Sequence, residues 1–211
     1  MKPLVVHHTD TLEAHPDIHL PDTHQDTFSK AVLGFWFYLL TDCLLFATLF
    51  VTFVVLHSST FGGPSAQELF TLPLPFAETM FLLFSTVTCG FALLEAVKGR
   101  KNSAVAWLAV TFLLGIGFII LEINEFNEFI QEGNSWKRSA FLSSFFALVG
   151  THGAHVSAGL IWMAVMAAQV YHFGITVDTF RRLVIFSLFW HFLDLVWIFI
   201  FTFVYLIGVL S

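Results

Sequence analysis

Residues 32–56 read VLGFWFYLLTDCLLFATLFVTFVVL, an apolar run in which Asp42 is the only acidic or basic residue. A helix needs roughly 20 such residues to cross a hydrocarbon layer about 30 Å thick, and this run is long enough. Runs of the same kind follow at 74–97, 103–121, 140–170 and 183–210. The segments between them carry turn chemistry: 58–73 holds Gly62, Gly63, Pro64 and Pro73, and 98–102 is a short polar hinge. The pattern predicts an all-α polytopic membrane protein whose five transmembrane helices form a bundle over residues 30–211, preceded by a polar tail at 1–29. The lengths of the last two runs leave room for tilt.

Composition agrees. Of 211 residues, 57% are hydrophobic and only 11% charged, with 27 Phe, more apolar surface than one soluble core of this length could hide. The formal net charge is −6, and Asp10, Glu13, Asp17, Asp22 and Asp26 all precede the first run. No basic patch points to nucleic acid. Cys43 and Cys89 each stand alone inside an apolar run, which suggests small packing residues rather than a redox pair. The N-terminal segment lacks a basic start leading into a sustained apolar stretch and a small-residue cleavage site, so insertion is expected to begin at the first span.

Lys and Arg are retained on the cytoplasmic side in short loops. In a five-span chain Lys2, Lys30, Lys98, Arg100, Lys101, Arg181 and Arg182 share one side, and only Lys137 and Arg138 fall on the other. The expectation is a cytoplasmic N-terminus and a periplasmic C-terminus in a bacterial inner membrane. The tail holds His7, His8, His15, His19 and His24 among Pro3, Pro16 and Pro21. Irregular spacing and prolines favour a solvated tail over a defined metal shell.

Ionisable residues inside spans are costly and should face other helices, water or a partner. Asp42 lies about 15 Å of helix rise into the first span, near mid-bilayer. It is a candidate for proton exchange, with a neutral acid bonded to a neighbouring helix as the structural alternative. In the fourth span, 150–159 (GTHGAHVSAG) combines small residues with His152 and His155 on nearly one face, a pattern that suits close helix packing. In the fifth, Trp190, His191, Asp194, Trp197, Phe201 and Tyr205 are spaced as one stripe, which would let His191 and Asp194 act together. Glu122 and Glu125 lie one turn apart at the end of the third span, with Glu128 and Glu132 continuing toward its end; two or three of these are expected to be surface charges.

Glu78, Glu122, Glu125, His152, His155, His191 and Asp194 also permit a rival reading, a carboxylate-and-His metal centre in a stand-alone membrane enzyme. No span shows the Glu-x-x-His pairing that such bundles use, and the His residues occupy only two helices. The spans hold too few His for haem ligation by this chain. No internal repeat argues for a two-halved transporter, although a small lipid-binding or transport protein remains an alternative.

Taken in order, Gly34-Phe35-Trp36-Phe37-Tyr38 with Thr41-Asp42-Cys43, Glu78-Thr79 and Ser85, Gly117-Phe118 with Glu122 and Glu125, the 150–159 stretch, and Trp190-His191-Phe192-Leu193-Asp194-Leu195-Val196-Trp197 resemble the subunit III family of haem-copper terminal oxidases. The resemblance runs from about Phe28 to the C-terminus. Within the family, five spans and an Asp at position 42 are similar to the bo-type ubiquinol oxidase form, whereas the mitochondrial-type cytochrome c oxidase subunit usually has seven spans and a Glu there. The resemblance implies an accessory subunit with no metal, haem or copper of its own, packed beside a subunit I that carries them, with subunits II and IV in the same complex. It also implies phospholipid bound in a cleft between helices and support of proton uptake. Asp42 matches the family's buried carboxylate; His152, His155, His191 and Asp194 match its interhelical polar residues. Five-span subunits of cytochrome c oxidases also exist, so the electron donor stays open.

Overall fold

A computed structural model describes residues 23–210, with side chains from 29 to 209. The histidines at 7, 8, 15 and 19, and with them the reading of the tail, lie outside the described residues; His24 falls on helical backbone. The order of elements is α1 (Thr23–Leu56), the single turn α2 (Ala66–Leu69), α3 (Pro73–Val97), α4 (Lys101–Gln131), α5 (Ala140–Phe173), α6 (Val177–Ile200), a π-helical segment (Phe201–Leu206) and α7 (Ile207–Leu210). By packing, the described residues up to Phe37 and those from Tyr38 onward form separate units. The first holds the opening turns of α1, and the polar contacts between helices described below lie in the second.

The described residues include five helices long and apolar enough to cross a membrane: Ser29–Leu56, Pro73–Val97, Lys101–Gln131, Ala140–Phe173 and Val177–Val209. Their outward surface is apolar, with Leu113, Val55 and Ile161 each about two-thirds exposed or more, as expected where lipid replaces water. Local signals place the ends. Pro73 occupies the first turn of α3, where its missing N–H costs nothing. Ser139 and Thr176 cap α5 and α6 by accepting from the backbone N–H of Leu142 and Thr179. Gly99, at φ 71°, takes the left-handed conformation that lets α3 fold back onto α4 within one short turn.

Three boundaries differ most from the apolar runs. The third helix continues to Gln131 instead of ending near Leu121, because Glu122 and Glu125 point into the bundle and do not expose charge where the run stops. The fifth starts at Val177, six residues ahead of Leu183, because the Thr176 cap rather than hydropathy sets its beginning. The first helix likewise starts at Thr23, within the segment read as tail.

The core is aromatic. Trp190, Trp197, Tyr205, Phe118, Phe141, Phe145 and Phe186 are fully buried. α1 contributes a seam of Leu39, Asp42, Phe46 and Phe53, whose spacing of three, four and seven keeps one face inward. Near the start of α3, Phe70 sits 5.0 Å from both Phe145 and Tyr205 and 6.3 Å from Phe129, closing that end of the bundle with rings.

Candidate interhelical polar site

The α1 seam carries Asp42 against α5. Its Oδ1 lies 3.7 Å from His155 Nε2, and the residue is only 7% exposed. His155 Nδ1 is 2.8 Å from the carbonyl of Thr151, which can only accept, so Nδ1 carries the proton and Nε2 faces the carboxyl. The pair therefore balances as a neutral acid beside a neutral ring, or as a carboxylate beside an imidazolium. Phe46 packs 5.3 Å from the His155 ring and shields it. Sequence spacing could not show this pairing, because the partners are on different helices.

His152, one position short of a full turn from His155, points elsewhere. It is fully buried, 5.2 Å from the Trp197 ring and 5.8 Å from Phe118, with neither ring nitrogen bonded. The small residues around it serve close approach. A Cβ on Gly153 would overlap the Glu122 carboxylate, and one on Gly159 would fall 2.9 Å from the Trp190 ring. Gly153 and Gly159 are thus points of close approach to α4 and α6.

α3 and α6 are joined by three polar pairs. Trp190 Nε1 donates to Ser85 Oγ at 3.0 Å, Thr86 Oγ1 to Asp194 Oδ2 at 2.9 Å, and Trp197 Nε1 to Thr79 Oγ1 at 3.0 Å. Ser85 gives its own proton to the Leu82 carbonyl, which leaves a lone pair free for the indole. The indoles fill the core while their N–H groups find partners, which is how a Trp can be buried completely.

The expected stripe on the last helix divides. Trp190, Asp194, Trp197 and Tyr205 face inward, but His191 is exposed and turns back to its own helix, 2.7 Å from the Ser187 carbonyl. Asp194 is hydrogen-bonded by Thr86, and His191 acts on it electrostatically. Tyr205 joins the inward face through the π-helical segment. Eight α-helical residues after Trp197 would leave it about 80° off that face, and the wider i→i+5 turn removes the excess rotation.

Tyr205 donates its hydroxyl proton to Glu125 Oε2 at 2.6 Å. Glu125 and Glu122 of α4 are each 3% exposed, and Glu78 of α3 is completely buried. Glu128 and Glu132 are exposed, so the four acids divide evenly between interior and surface. Both Glu78 oxygens and Glu122 Oε1 are buried without a hydrogen-bond partner. Glu78 interacts electrostatically with Glu125 and Glu122, and Glu125 with Glu128. Among the described residues, no group of three or more His, Cys, Asp or Glu is placed to hold a metal ion.

The site therefore consists of two parts: an Asp42–His155 contact between α1 and α5, and a carboxyl-and-aromatic cluster between α3, α4, α5 and the π-helical segment. The family model for cytochrome c oxidase subunit III matches residues 17–209. The chain belongs to that family. The match begins upstream of Phe28 and so takes in part of the polar tail. A protein of Pseudomonas aeruginosa named cytochrome bo(3) ubiquinol oxidase subunit 3 is 54% identical over 198 residues, covering 94% of this chain and 95% of that one. One of the same name from Pseudomonas putida is 57% identical, covering 88% and 89%. A protein of Bacillus sp. named cytochrome c oxidase subunit 3 is 44% identical, covering 85% and 86%. The chain is an integral membrane member of the family, as its five apolar helices require.

Proposed function

We propose that this chain is the accessory third subunit of a haem-copper quinol oxidase of an aerobic respiratory chain, with no redox centre of its own. The near full-length similarity to two proteins named ubiquinol oxidase subunit 3 carries the reading. The apolar outer surface and the aromatic, hydrogen-bonded interior fit a helical unit that docks against other membrane subunits. In this reading subunit I holds the haem and copper, subunits II and IV complete the complex, and phospholipid fills grooves between helices. The Lys and Arg asymmetry supports a cytoplasmic N-terminus and a periplasmic C-terminus in a bacterial inner membrane.

Asp42 is the residue that supports proton uptake. Its seam position, its contact with His155 and the hydrogen bond it shares with the Tyr38 hydroxyl suit a carboxyl that exchanges a proton. The other buried polar residues, Glu78, Glu122, Glu125, His152 and Asp194, hold helices together or border the lipid-facing clefts; His191, on the outer face, is a candidate for lipid or partner contact.

Purifying the chain from its native membrane in mild detergent, with an optical spectrum and identification of co-purifying proteins, tests this. Arrival with a haem-bearing large subunit and quinol-oxidising activity supports the reading; arrival alone with stoichiometric iron overturns it. The similarity to the Bacillus sp. protein favours one second reading, subunit III of a cytochrome c oxidase. A copper-binding domain in the accompanying subunit II would decide for it.

A further inference from the structure

Glu78, Glu122 and Glu125 sit near the end of the bundle where α3 begins and α4 finishes. They are buried together, and none of the ion pairs among the described residues reaches them. The titratable groups that act on them are one another, Glu128 further along α4 and Tyr205 from the π-helical segment, while α5 presents Gly153 to Glu122, next in sequence to His152. None of these is a Lys or Arg. Three negative charges without a counter-charge in a membrane interior would cost more than the fold can supply, so the cluster holds protons.

Three further observations say how they are held. Both oxygens of Glu78, one of Glu122 and both nitrogens of His152 are unpartnered although fully buried. Polar atoms in that condition are satisfied in proteins by internal water, which bonds about three such groups at once. Gly153 leaves the room that the Glu122 carboxyl occupies, since any side chain there would collide with it. Finally, Glu122, Glu125 and Glu128 form a ladder at spacing i, i+3, i+6, rising about 4.5 Å per step, and its last rung is exposed. Tyr205, the hydroxyl partner of Glu125, packs ring to ring with Phe70 and Phe145, and Phe70 with Phe129, so the cluster is bordered there by apolar rings and the ladder is the polar way out.

We propose that Glu78, Glu122 and Glu125 share exchangeable, hydrated protons inside the bundle, and that Glu128 connects this store to the surface. A transfer breaks an O–H bond on one carboxyl as another forms on the next, through water, and needs no oxidant or reductant. The store is separate from the Asp42–His155 contact, and it stands whichever electron donor the complex uses.

Infrared spectra of the intact complex test this, read in the stretching band of protonated carboxyls during transfer from H₂O to D₂O. The expected result is a band that shifts on exchange, loses intensity in Glu78→Gln and in Glu122→Gln, and moves in Tyr205→Phe, which frees Glu125 from its hydroxyl partner. Glu128→Gln, a surface change, should keep the band and slow its exchange several-fold; exposed Glu68→Gln should alter neither. A band that never exchanges, or that survives both interior substitutions unchanged, overturns the store. Exchange at the wild-type rate in Glu128→Gln overturns the ladder. Should the interior variants fail to assemble, the wild-type exchange together with Tyr205→Phe and Glu128→Gln decides alone: no exchange, or no response in either variant, sinks the proposal.

Discussion

Gly153→Ala is a one-carbon change whose cost can be worked from the structure. The added Cβ would lie 2.6 Å from Glu122 Cδ and closer still to its two oxygens. Ordinary contact between carbon atoms is about 3.5–4.0 Å, so the carboxyl must retreat by about 1 Å or the helices must part. Neither is free. The carboxyl is buried between α3, α4 and α5, and overpacking of this kind costs about 1–3 kcal/mol. For a chain of this length that lowers the melting temperature by about 2–4 °C per kcal/mol. A thermal scan of the purified complex, following this subunit by its tryptophan emission or its dissociation, reads the shift. The stronger test is the cycle with Glu122→Ala. Removing the carboxyl costs stability by itself but takes away the group that the new methyl strikes. The double variant should therefore be more stable than the sum of the two single effects by at least about 1 kcal/mol, the size expected for residues in direct contact. A neutral Gly153→Ala, or strict additivity in the cycle, would refute the claim that the glycine exists to seat the carboxyl.

Further expectations follow from the same contacts. Thr86→Val removes the hydrogen-bond partner of buried Asp194 and should destabilise the subunit by about 1–3 kcal/mol, whereas His191→Ala, on the outer face, should stay within about 0.5 kcal/mol; thermal scans of both variants weigh the Thr86 hydrogen bond against the electrostatic contact with His191. Trp197→Phe keeps the ring in the core but deletes its bond to Thr79, with an expected loss of about 1 kcal/mol, and Thr79→Val in that background should cost little more. Asp42→Asn should leave the complex assembled while slowing proton uptake at higher pH. Normal steady-state activity and normal survival through turnover across pH would count against a proton role for Asp42.

The five spans were legible because hydrophobic length is a one-dimensional property: the bilayer demands it of each helix separately, and no partner is needed to read it. Buried polar pairing is not of that kind. Asp42 announced itself as costly in residues 32–56, but nothing in its own helix says that His155 stands opposite. The stripe on the last helix shows the same limit in another way. Its spacing groups His191 with Asp194 and Tyr205, yet His191 lies on the exposed side of the regular helix, and only the π-helical segment brings Tyr205 to the inward face. A signal for the α3–α6 pairs was nevertheless present. Thr79 and Ser85 are six apart and Trp190 and Trp197 seven, close enough for two antiparallel helices to bring hydroxyls and indoles into register from opposite ends. Hydroxyls on one helix and indoles on the next are complementary donors and acceptors, so the two patterns together would have suggested the interface that either alone leaves open. The carboxyl cluster resisted the reading for a different reason: Glu122 and Glu125 follow the apolar run directly and look like the charges that end it. Only burial distinguishes an acid that stops a span from one that lies inside it, and burial depends on Gly153 and Tyr205, which come from helices further along the chain.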